Sequence, residues 1–196
     1  MNNWRLRRED LLKDNEWNTL KDYLNTKKSV GNWTAVQDHA ICMFAVWTGL
    51  RRSEIANITL QDLFLYPVKP FIVVRHGKGG KYREVLISED CRDYLANFLK
   101  IRDSNSDYLF VPQRGVKYTG NGIYRVWKTA IQSADLPNRS IHKARHYYCT
   151  KLHEITKDLK FIQEQAGHSK ITTTQIYTHI SNEQSDKYLK DFDKSL

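Results

Sequence analysis

Six residues of types that bind phosphate, move protons or act as nucleophiles are spread along the chain. In chain order they are Arg51, Lys78, His142, Arg145, His168 and Tyr177. Arg51 follows Gly49, which predicts a turn between two helices and so a rigid corner for the arginine. Arginine presents a planar fork of permanently charged N–H groups that fits phosphate oxygens. A surface arginine, Arg51 or Arg52, paired with Glu54 explains the same residues equally well.

Two lysines, Lys78 and Lys81, lie in the glycine-rich segment 77–81, which predicts the tip of a β-hairpin. A lysine on such a turn can contact a phosphate or donate a proton. The spacing does not match a phosphate-binding P-loop. A solvated turn whose lysines protect the edge of a sheet is an equally good explanation of this segment alone.

On a helix, His142, Arg145 and His146 share one face because they are three and four positions apart. The cationic arginine favours the neutral form of a neighbouring histidine, which suits a proton acceptor or a hydrogen-bond donor near phosphate. A metal site built from His142, His146 and Cys149 is disfavoured, since Arg145 would stand against the cation and no acidic ligand is near. Ordinary helix packing remains a second alternative.

Taken singly, His168 at a predicted helix junction and Tyr177 among eleven tyrosines have ordinary structural explanations. Taken together, the six residues suit attack on a phosphodiester without a metal ion. Cations neutralise the charge on the non-bridging oxygens, and a positioned acid protonates the leaving 5′ oxygen. The phenol of a tyrosine can be the nucleophile when nearby positive charge offsets its ordinary pKa of about 10.

Helices are expected to position most of these residues. Asp14 predicts the cap of an amphipathic helix, a buried helix is expected from about Thr34 to Leu50 with Gly49 as its stop, and Ser53 predicts the start of a short helix. The later helices are expected at about 121–134, 142–155, 158–166, 171–180 and 183–194.

The middle of the chain changes to a β pattern. Residues 71–75 and 82–87 predict a hairpin, Ser88 predicts the cap of a further helix, and 108–111 predicts a third short strand. The predicted fold is therefore α+β and mostly α-helical, with a small three-stranded antiparallel sheet on one side.

Composition narrows the class of protein. The chain has 196 residues, a formal charge of +9 and a hydrophobic fraction of 40%, which suits one folded domain with a polyanionic partner such as nucleic acid. It contains no apolar run of about eighteen residues, and the polar start MNNWRLRRED predicts no secretory signal. Three widely spaced cysteines favour a reducing, cytoplasmic compartment.

Four segments resemble the catalytic domain of the tyrosine recombinases, also called the phage integrase family. They are TGLRRSEIANITLQDL (48–63), GKGGKYREV (77–85), HKARHYYCTKL (142–152) and AGHSKITTTQIYTHI (166–180). The resemblance extends from about residue 10 to 180. Its order of Arg, Lys, His-x-x-Arg, His and Tyr is very specific, and the tyrosine is the ninth residue after the last histidine.

The resemblance implies a role for each matching residue. Arg51 and Arg145 correspond to the arginines that clamp the scissile phosphate, and His168 to a residue that hydrogen-bonds it. Tyr177 corresponds to the nucleophile, and His142 to the residue that assists removal of its proton. Since all six positions of the family's site are occupied, the resemblance implies an active enzyme.

The remaining assignments are supporting ones. Lys78 matches the hairpin lysine that protonates the leaving oxygen, with Lys81 close enough to be an alternative. Glu54 matches an acidic residue that supports the first arginine, and His146 is a further supporting candidate. The chain departs from the family's pattern at Ala144, where leucine is usual, and at 165–166, where an apolar pair is usual.

The implied activity is that of a site-specific DNA recombinase or integrase, used by a mobile genetic element, that forms a 3′-phosphotyrosyl intermediate. No cofactor and no metal are implied, because the covalent bond conserves the energy of the phosphodiester. The implied partners are double-stranded DNA and, on that DNA, further copies forming a homo-tetramer, with a monomer or weak oligomer when free. Neither a membrane nor a small-molecule substrate is implied, and the expected location is the cytoplasm, at the nucleoid.

The expected division of the chain is a catalytic domain at 1–181 and a helical tail at 182–196, with no N-terminal core-binding domain. The apolar residues of the tail fall at helical spacing on one face: Tyr188, Leu189, Phe192 and Leu196. Two interpretations stay open: the tail folds back on its own domain, or it docks on a neighbouring protomer.

Three other functions are weighed against the recombinase. A type IB topoisomerase uses similar chemistry without pairing two DNA duplexes, so formation of a Holliday junction separates the two. A catalytically silent sequence-specific DNA-binding protein would be inert on its cognate DNA. A metal-dependent nuclease would lose activity in excess chelator.

Overall fold

In a computed structural model the described residues are 11–30, 32–66, 68–75, 77, 80, 82–102, 104–113, 117–167 and 182–196. The helices are α1 (Asp14–Val30), α2 (Trp33–Thr48), α3 (Arg52–Asn57), α4 (Glu89–Ile101), α5 (Gly120–Ser133), α6 (His142–Thr156), α7 (Leu159–Ala166) and α8 (Asn182–Asp193). The strands are β1 (Leu63–Phe64), β2 (Phe71–Val74) and β3 (Arg83–Leu86). The predicted helix at 171–180 lies outside the described residues.

Most helix ends are set by the expected residues. The Ser88 side chain accepts a hydrogen bond from the backbone N–H of Cys91 and caps α4, as predicted. The predicted cap at Asp14 is wrong: Asp14 is the first residue of α1, and its carboxylate accepts bonds from Tyr147 and Lys151 of α6. Asp14 therefore makes a tertiary contact with Tyr147 and Lys151 instead of capping α1.

The sheet has the order β1-β2-β3, and both pairings are antiparallel. The hairpin of β2 and β3 is confirmed, but the predicted third strand at 108–111 is wrong, since the third strand is β1. Tyr108 forms only an isolated bridge with Thr59. Arg102 explains the difference, because its guanidinium binds the backbone oxygens of Ser104, Ser106, Tyr108 and Leu109 and fixes that segment as an irregular loop.

Helix α2 forms the centre of the core, in contact with α1, α5 and α6. Residues 40–46 of α2 are all buried, so this helix has no solvent face over nearly two turns. A second apolar cluster lies between α6, α7 and α8: Tyr148, Leu152, Phe161, Ile162 and Phe192. The two clusters hold α2, α6 and α7 in fixed relation to one another.

The tail packs against its own chain. The ring of Phe192 is fully buried, and its centroid lies 5.2 Å from that of Tyr148 on α6. Tyr188 similarly contacts Phe161 of α7, with ring centroids 5.4 Å apart. The predicted apolar face of the tail is therefore the face that contacts the domain. None of the described helices has both the length and the apolar character needed to cross a lipid bilayer.

Candidate active site

The junction of α2 and α3 is a rigid corner that holds Arg51. Gly49 ends α2 in the left-handed conformation, with φ of 58°, and a Cβ atom there would lie 2.4 Å from Cδ1 of Tyr148. Only glycine fits both the backbone and the ring. The backbone N–H of Arg51 donates to Oε2 of Glu54 at 2.9 Å, and its Nη1 donates to Oε1 at 2.9 Å.

Arg83, the first residue of β3, binds the same carboxylate. Its Nη1 and Nη2 donate to Oε1 and Oε2 of Glu54, each at 2.9 Å. The carboxylate of Glu54 is only 2% exposed and accepts four hydrogen bonds from the two arginines. Burial opposes its ionisation, but the bonds from Arg83 and Arg51 outweigh burial and lower the pKa of Glu54.

Arg145 on α6 is buried beside this group. Its Nη1 donates to the backbone oxygen of Gly49 at 2.8 Å, and its Nη2 donates to that of Ala166. Burial and the nearby charge of Arg51 lower the pKa of Arg145 to about 10, so the side chain stays charged at neutral pH. The two carbonyl bonds fix the guanidinium between the end of α2 and the end of α7.

Three guanidinium groups converge on the C-terminal end of α7. Besides Arg145, Arg51 donates from Nη2 to the oxygen of Gly167 at 3.1 Å, and Arg83 donates from Nε to that of Gln165 at 3.3 Å. The last carbonyls of a helix lack partners within the helix and carry the negative end of its dipole. The arginines therefore fix the end of α7.

Positive charge exceeds negative charge in this group. Within the described part of the chain, the guanidiniums of Arg51 and Arg83 share the carboxylate of Glu54, and their other partners, like both partners of Arg145, are neutral carbonyl oxygens. Charges removed from water are stable only when they are compensated. The group is thus arranged to accept a further anion.

An open cleft of about 320 Å³ adjoins one arginine of this group, Arg51. Its lining includes Arg51, Arg52, Tyr124 and His142, the first residue of α6. The guanidinium carbon of Arg52 lies 5.7 Å from the centroid of the Tyr124 ring, which holds that exposed cation at the wall of the cleft. The cleft therefore combines positive charge with a proton-accepting imidazole.

His142 is expected to be neutral at physiological pH. Desolvation, followed by the charges of Arg145, Arg51 and Arg52, lowers the pKa of His142 below its ordinary 6.5. This is the effect that the His-x-x-Arg spacing predicts. The ring of His146 lies edge-on to that of His142, with centroids 5.8 Å apart, so the two histidines do share a face of α6.

The structure brings four of the predicted site residues into one region: Arg51, Glu54, His142 and Arg145. His146 lies beside them. The other four lie outside the described residues: Lys78, Lys81, His168 and Tyr177. At the hairpin tip, the N–H of Gly80 donates to the oxygen of Gly77 at 2.9 Å, as a tight turn requires. The helix predicted at about 158–166 corresponds to α7, which ends at Gly167 in the left-handed conformation, with φ of 63°.

The alternative of a metal site finds no ligand group in the described ranges: no three or more His, Cys, Asp or Glu side chains there are placed to hold an ion. Cys149, which the alternative would use, is half-buried. Burial raises the pKa of its thiol, an effect that the charges of Arg145 and Arg51 only partly offset.

Arg83 is the residue of this group that the motif analysis did not identify. A signal for it exists in the sequence, because residues two apart in a strand point to the same side, and Val85, two positions after Arg83, is apolar. An arginine on the buried side of a strand needs a carboxylate partner. Nothing in the order of residues alone indicates that this partner is Glu54.

Comparison with known proteins places this arrangement in a family. The sequence profile of the phage integrase family matches residues 10–184. The tyrosine recombinase XerA of Pyrococcus furiosus is 34% identical over 149 residues, covering 74% of this chain and 51% of that protein. The chain thus spans about half the length of this relative.

Solved structures agree with the fold. A XerA recombinase crystal structure matches with a TM-score of 0.70 and 29% identity, covering 92% of this chain and 64% of the other. A XerH site-specific recombinase bound to its difH substrate matches with a TM-score of 0.69 over 82% of this chain and 47% of the other. At 24% identity, that second likeness shows the fold alone.

Proposed function

The chain belongs to the phage integrase family of tyrosine recombinases, and we propose that it is a site-specific DNA recombinase or integrase acting through a phosphotyrosyl bond at Tyr177. One observation carries this proposal: Arg51, which shares the carboxylate of Glu54 with Arg83 beside the buried Arg145, lines an open cleft together with His142, whose pKa is lowered. The relatives are named tyrosine recombinases, and the XerH site-specific recombinase that shares the fold is bound to its difH substrate, which supports duplex DNA as the substrate here.

The scissile phosphate is the anion that the arginine group accepts. Among the described residues, Arg51 and Arg145 each donate two side-chain N–H groups to protein oxygens, and an arginine has five. The remaining donors bind the non-bridging oxygens and neutralise the charge that builds up at phosphorus. Because Gly49 and the end of α7 hold both guanidiniums in advance, little reorganisation opposes the reaction.

In the chemical step, the phenol oxygen of Tyr177 forms a bond to phosphorus as the bond to the 5′ oxygen breaks. Neutral His142 takes the phenol proton, and Lys78 donates a proton to the leaving 5′ oxygen. His168 hydrogen-bonds the phosphate. A 5′-hydroxyl from another strand reverses the step and releases the tyrosine, so no nucleotide is consumed.

We further propose that the protein acts as an assembly of several copies on DNA. Four copies on DNA exchange strands through a Holliday junction, in the cytoplasm at the nucleoid. The tail at 182–196 passes from its own domain to a neighbouring copy, where Leu189 and Phe192 fill the same kind of apolar site. The tail is one 12-residue helix that packs through an apolar face, which supports such an exchange because that face fits the same site on any copy of the chain.

Covalent trapping tests the chemistry. The chain is incubated in EDTA with a duplex from its native element that carries a nick near the crossover, so that a short strand diffuses away after cleavage. We expect an SDS-resistant protein–DNA band with the wild type and none with Tyr177→Phe, which lacks only the hydroxyl. Two-duplex reactions then test for Holliday junctions.

Each other outcome contradicts part of the proposal. A band that persists in Tyr177→Phe assigns the nucleophile to another residue. A band that requires a divalent cation contradicts the metal-independent chemistry. Covalent bands without Holliday junctions favour the topoisomerase alternative, and binding without any band favours a silent DNA-binding protein.

A further inference from the structure

Arg83 lies at the centre of the arginine group, although no motif assigned it a role. It is 12% exposed and makes three hydrogen bonds, two to Glu54 and one to the backbone oxygen of Gln165. A Cβ atom on Gly167 would lie 2.9 Å from its guanidinium. One side chain on β3 thus joins α3 to the end of α7.

The sharing of Glu54 limits how Arg51 can bind it. Arg83 occupies one site on each carboxylate oxygen through a fork of two parallel bonds. Arg51 therefore uses one guanidinium nitrogen on Oε1, while Oε2 accepts its backbone N–H. Without Arg83, both oxygens become available for a forked pair with Arg51, the geometry that arginine and carboxylate prefer. Such a pair would withdraw the Arg51 donors from a phosphate.

The third hydrogen bond of Arg83, to the backbone oxygen of Gln165, holds the end of α7 directly before the segment 168–181. Gly167 precedes that segment directly, and its left-handed φ of 63° and missing side chain let the guanidinium pack against its backbone. Arg51 binds the oxygen of the same residue. Displacement of Arg83 therefore moves both a phosphate-binding arginine and the point where the chain leaves α7.

We propose that Arg83 is a positioning residue for strand cleavage: it holds Glu54 and the end of α7, the two groups that bind Arg51, so that Arg51 keeps its donors for the phosphate. This inference rests on the proposed function. Arg83 acts through Arg51 and touches no reacting atom.

The test uses Arg83→Gln and Arg83→Lys on the nicked duplex, with single-turnover rates measured at saturating DNA. We expect Arg83→Gln to lower the cleavage rate on the order of 100-fold, because small misplacements of a catalytic group have effects of that size. DNA affinity should change little. Arg83→Lys should fold well but recover only part of the rate, since lysine keeps the charge without the fork.

Two readouts separate positioning from a general loss of structure. The double variant Arg51→Gln/Arg83→Gln should cleave no more slowly than Arg51→Gln alone, because the second change acts only through the first. On a duplex whose scissile phosphate is replaced by a neutral methylphosphonate, the loss in Arg83→Gln should shrink to about 10-fold or less, since less charge needs to be neutralised.

Arg139→Gln is the matched control. Arg139 is also 12% exposed and binds a buried carboxylate, Glu16, through two nitrogens. It should lower the melting temperature as Arg83→Gln does but leave the cleavage rate unchanged. If Arg83→Gln does not fold, Arg83→Lys takes its place in both readouts.

The inference is overturned if the losses in the double variant multiply, if the loss is equal on both backbones, or if Arg83→Lys cleaves at the full rate. These results leave the proposed function intact, since the wild type still cleaves and Tyr177→Phe does not. An inert wild-type chain contradicts the proposed function instead.

Discussion

Two buried glutamates of this chain have nearly the same local geometry and different surroundings. Glu16 binds Arg139 through two nitrogens, and Glu54 binds Arg83 in the same way. The glutamate side chains are 8% and 2% exposed, and each partner arginine is 12% exposed. In both, bonds from arginine outweigh the cost of burial and lower the pKa of the carboxyl.

The difference lies in the number of cations. Among the described residues Glu16 binds one guanidinium, that of Arg139, and the pair ties α1 to the segment before α6. Glu54 instead binds the guanidiniums of both Arg51 and Arg83, beside the further charge of Arg145. A carboxylate bound by one guanidinium joins two elements, whereas one that is shared by two beside a third also prepares a site for an anion. The same interaction thus serves structure in one region and chemistry in the other.

The largest effect is expected when the two glutamates are replaced in turn by glutamine. Glu54→Gln leaves Arg51 and Arg83 without their carboxylate, beside the charge of Arg145, and should destabilise the fold by about 3–5 kcal/mol. It should also lower the cleavage rate by at least about 100-fold. Glu16→Gln should destabilise the fold by about 1–3 kcal/mol and leave cleavage unchanged wherever the protein is folded. Urea unfolding and single-turnover cleavage measure the two quantities.

Acid provides a second measurement on the same pair of variants. Both glutamates have a lowered pKa when folded, so their contribution to stability is complete above the ordinary 4.5 and is lost as the pH falls through the folded values. Each Gln variant should therefore lose less stability than the wild type between pH 5 and pH 3. Equal acid sensitivity in variant and wild type would contradict the ionised state assigned to that glutamate.

A smaller effect is expected on the pKa of His142, which the positive charge of the neighbouring arginines lowers. Its pKa should lie below 6.5 in the free protein, and a bound anion in the cleft should raise it, because the anion offsets Arg145 and Arg51. NMR titration of His142 with and without a short duplex measures the shift. Glu54→Gln should lower the pKa further, while Glu16→Gln should not change it. An unshifted histidine would contradict the excess positive charge.

The comparison also shows what the sequence could predict. Local signals gave the stop of α2 at Gly49, the cap of α4 at Ser88 and the β2–β3 hairpin, because turn and cap residues act within a few positions. The motif residues Arg51 and Arg145 are found together, as their family resemblance implies. These predictions needed no knowledge of long-range packing.

Tertiary contacts account for the failures. Tyr108–Val111 has the composition of a strand, but the guanidinium of Arg102 takes its carbonyls. Asp14 is a residue type that often caps helices, but its carboxylate accepts hydrogen bonds from Tyr147 and Lys151 instead. Glu54 and Arg83 lie 29 positions apart in the sequence. The periodicity of a helix or strand relates only residues within one element, so it does not predict this pair.

The smallest effect concerns a carboxyl whose titrating neighbours are acidic. Asp193 ends α8 and packs against the start of α4, where burial, together with the charges of Asp90 and Glu89, raises the pKa of Asp193 to about 6 despite a hydrogen bond from Ser88. Its Oδ1 is buried and has no hydrogen-bond partner in the described part of the chain. Asp193 thus extends the comparison to a half-buried carboxyl, for which the described residues supply no arginine partner.

The raised pKa gives this prediction a sign opposite to that of the glutamates. The folded state binds a proton more tightly than the unfolded chain, so stability falls as the pH rises from about 3.8 to 6 and is constant above. Asp193→Asn should therefore melt about 2–4 °C above the wild type at pH 8. The difference should vanish near pH 4, where the wild-type carboxyl is also neutral. A variant that melts below the wild type at pH 8 would mean that ionised Asp193 stabilises the docked tail.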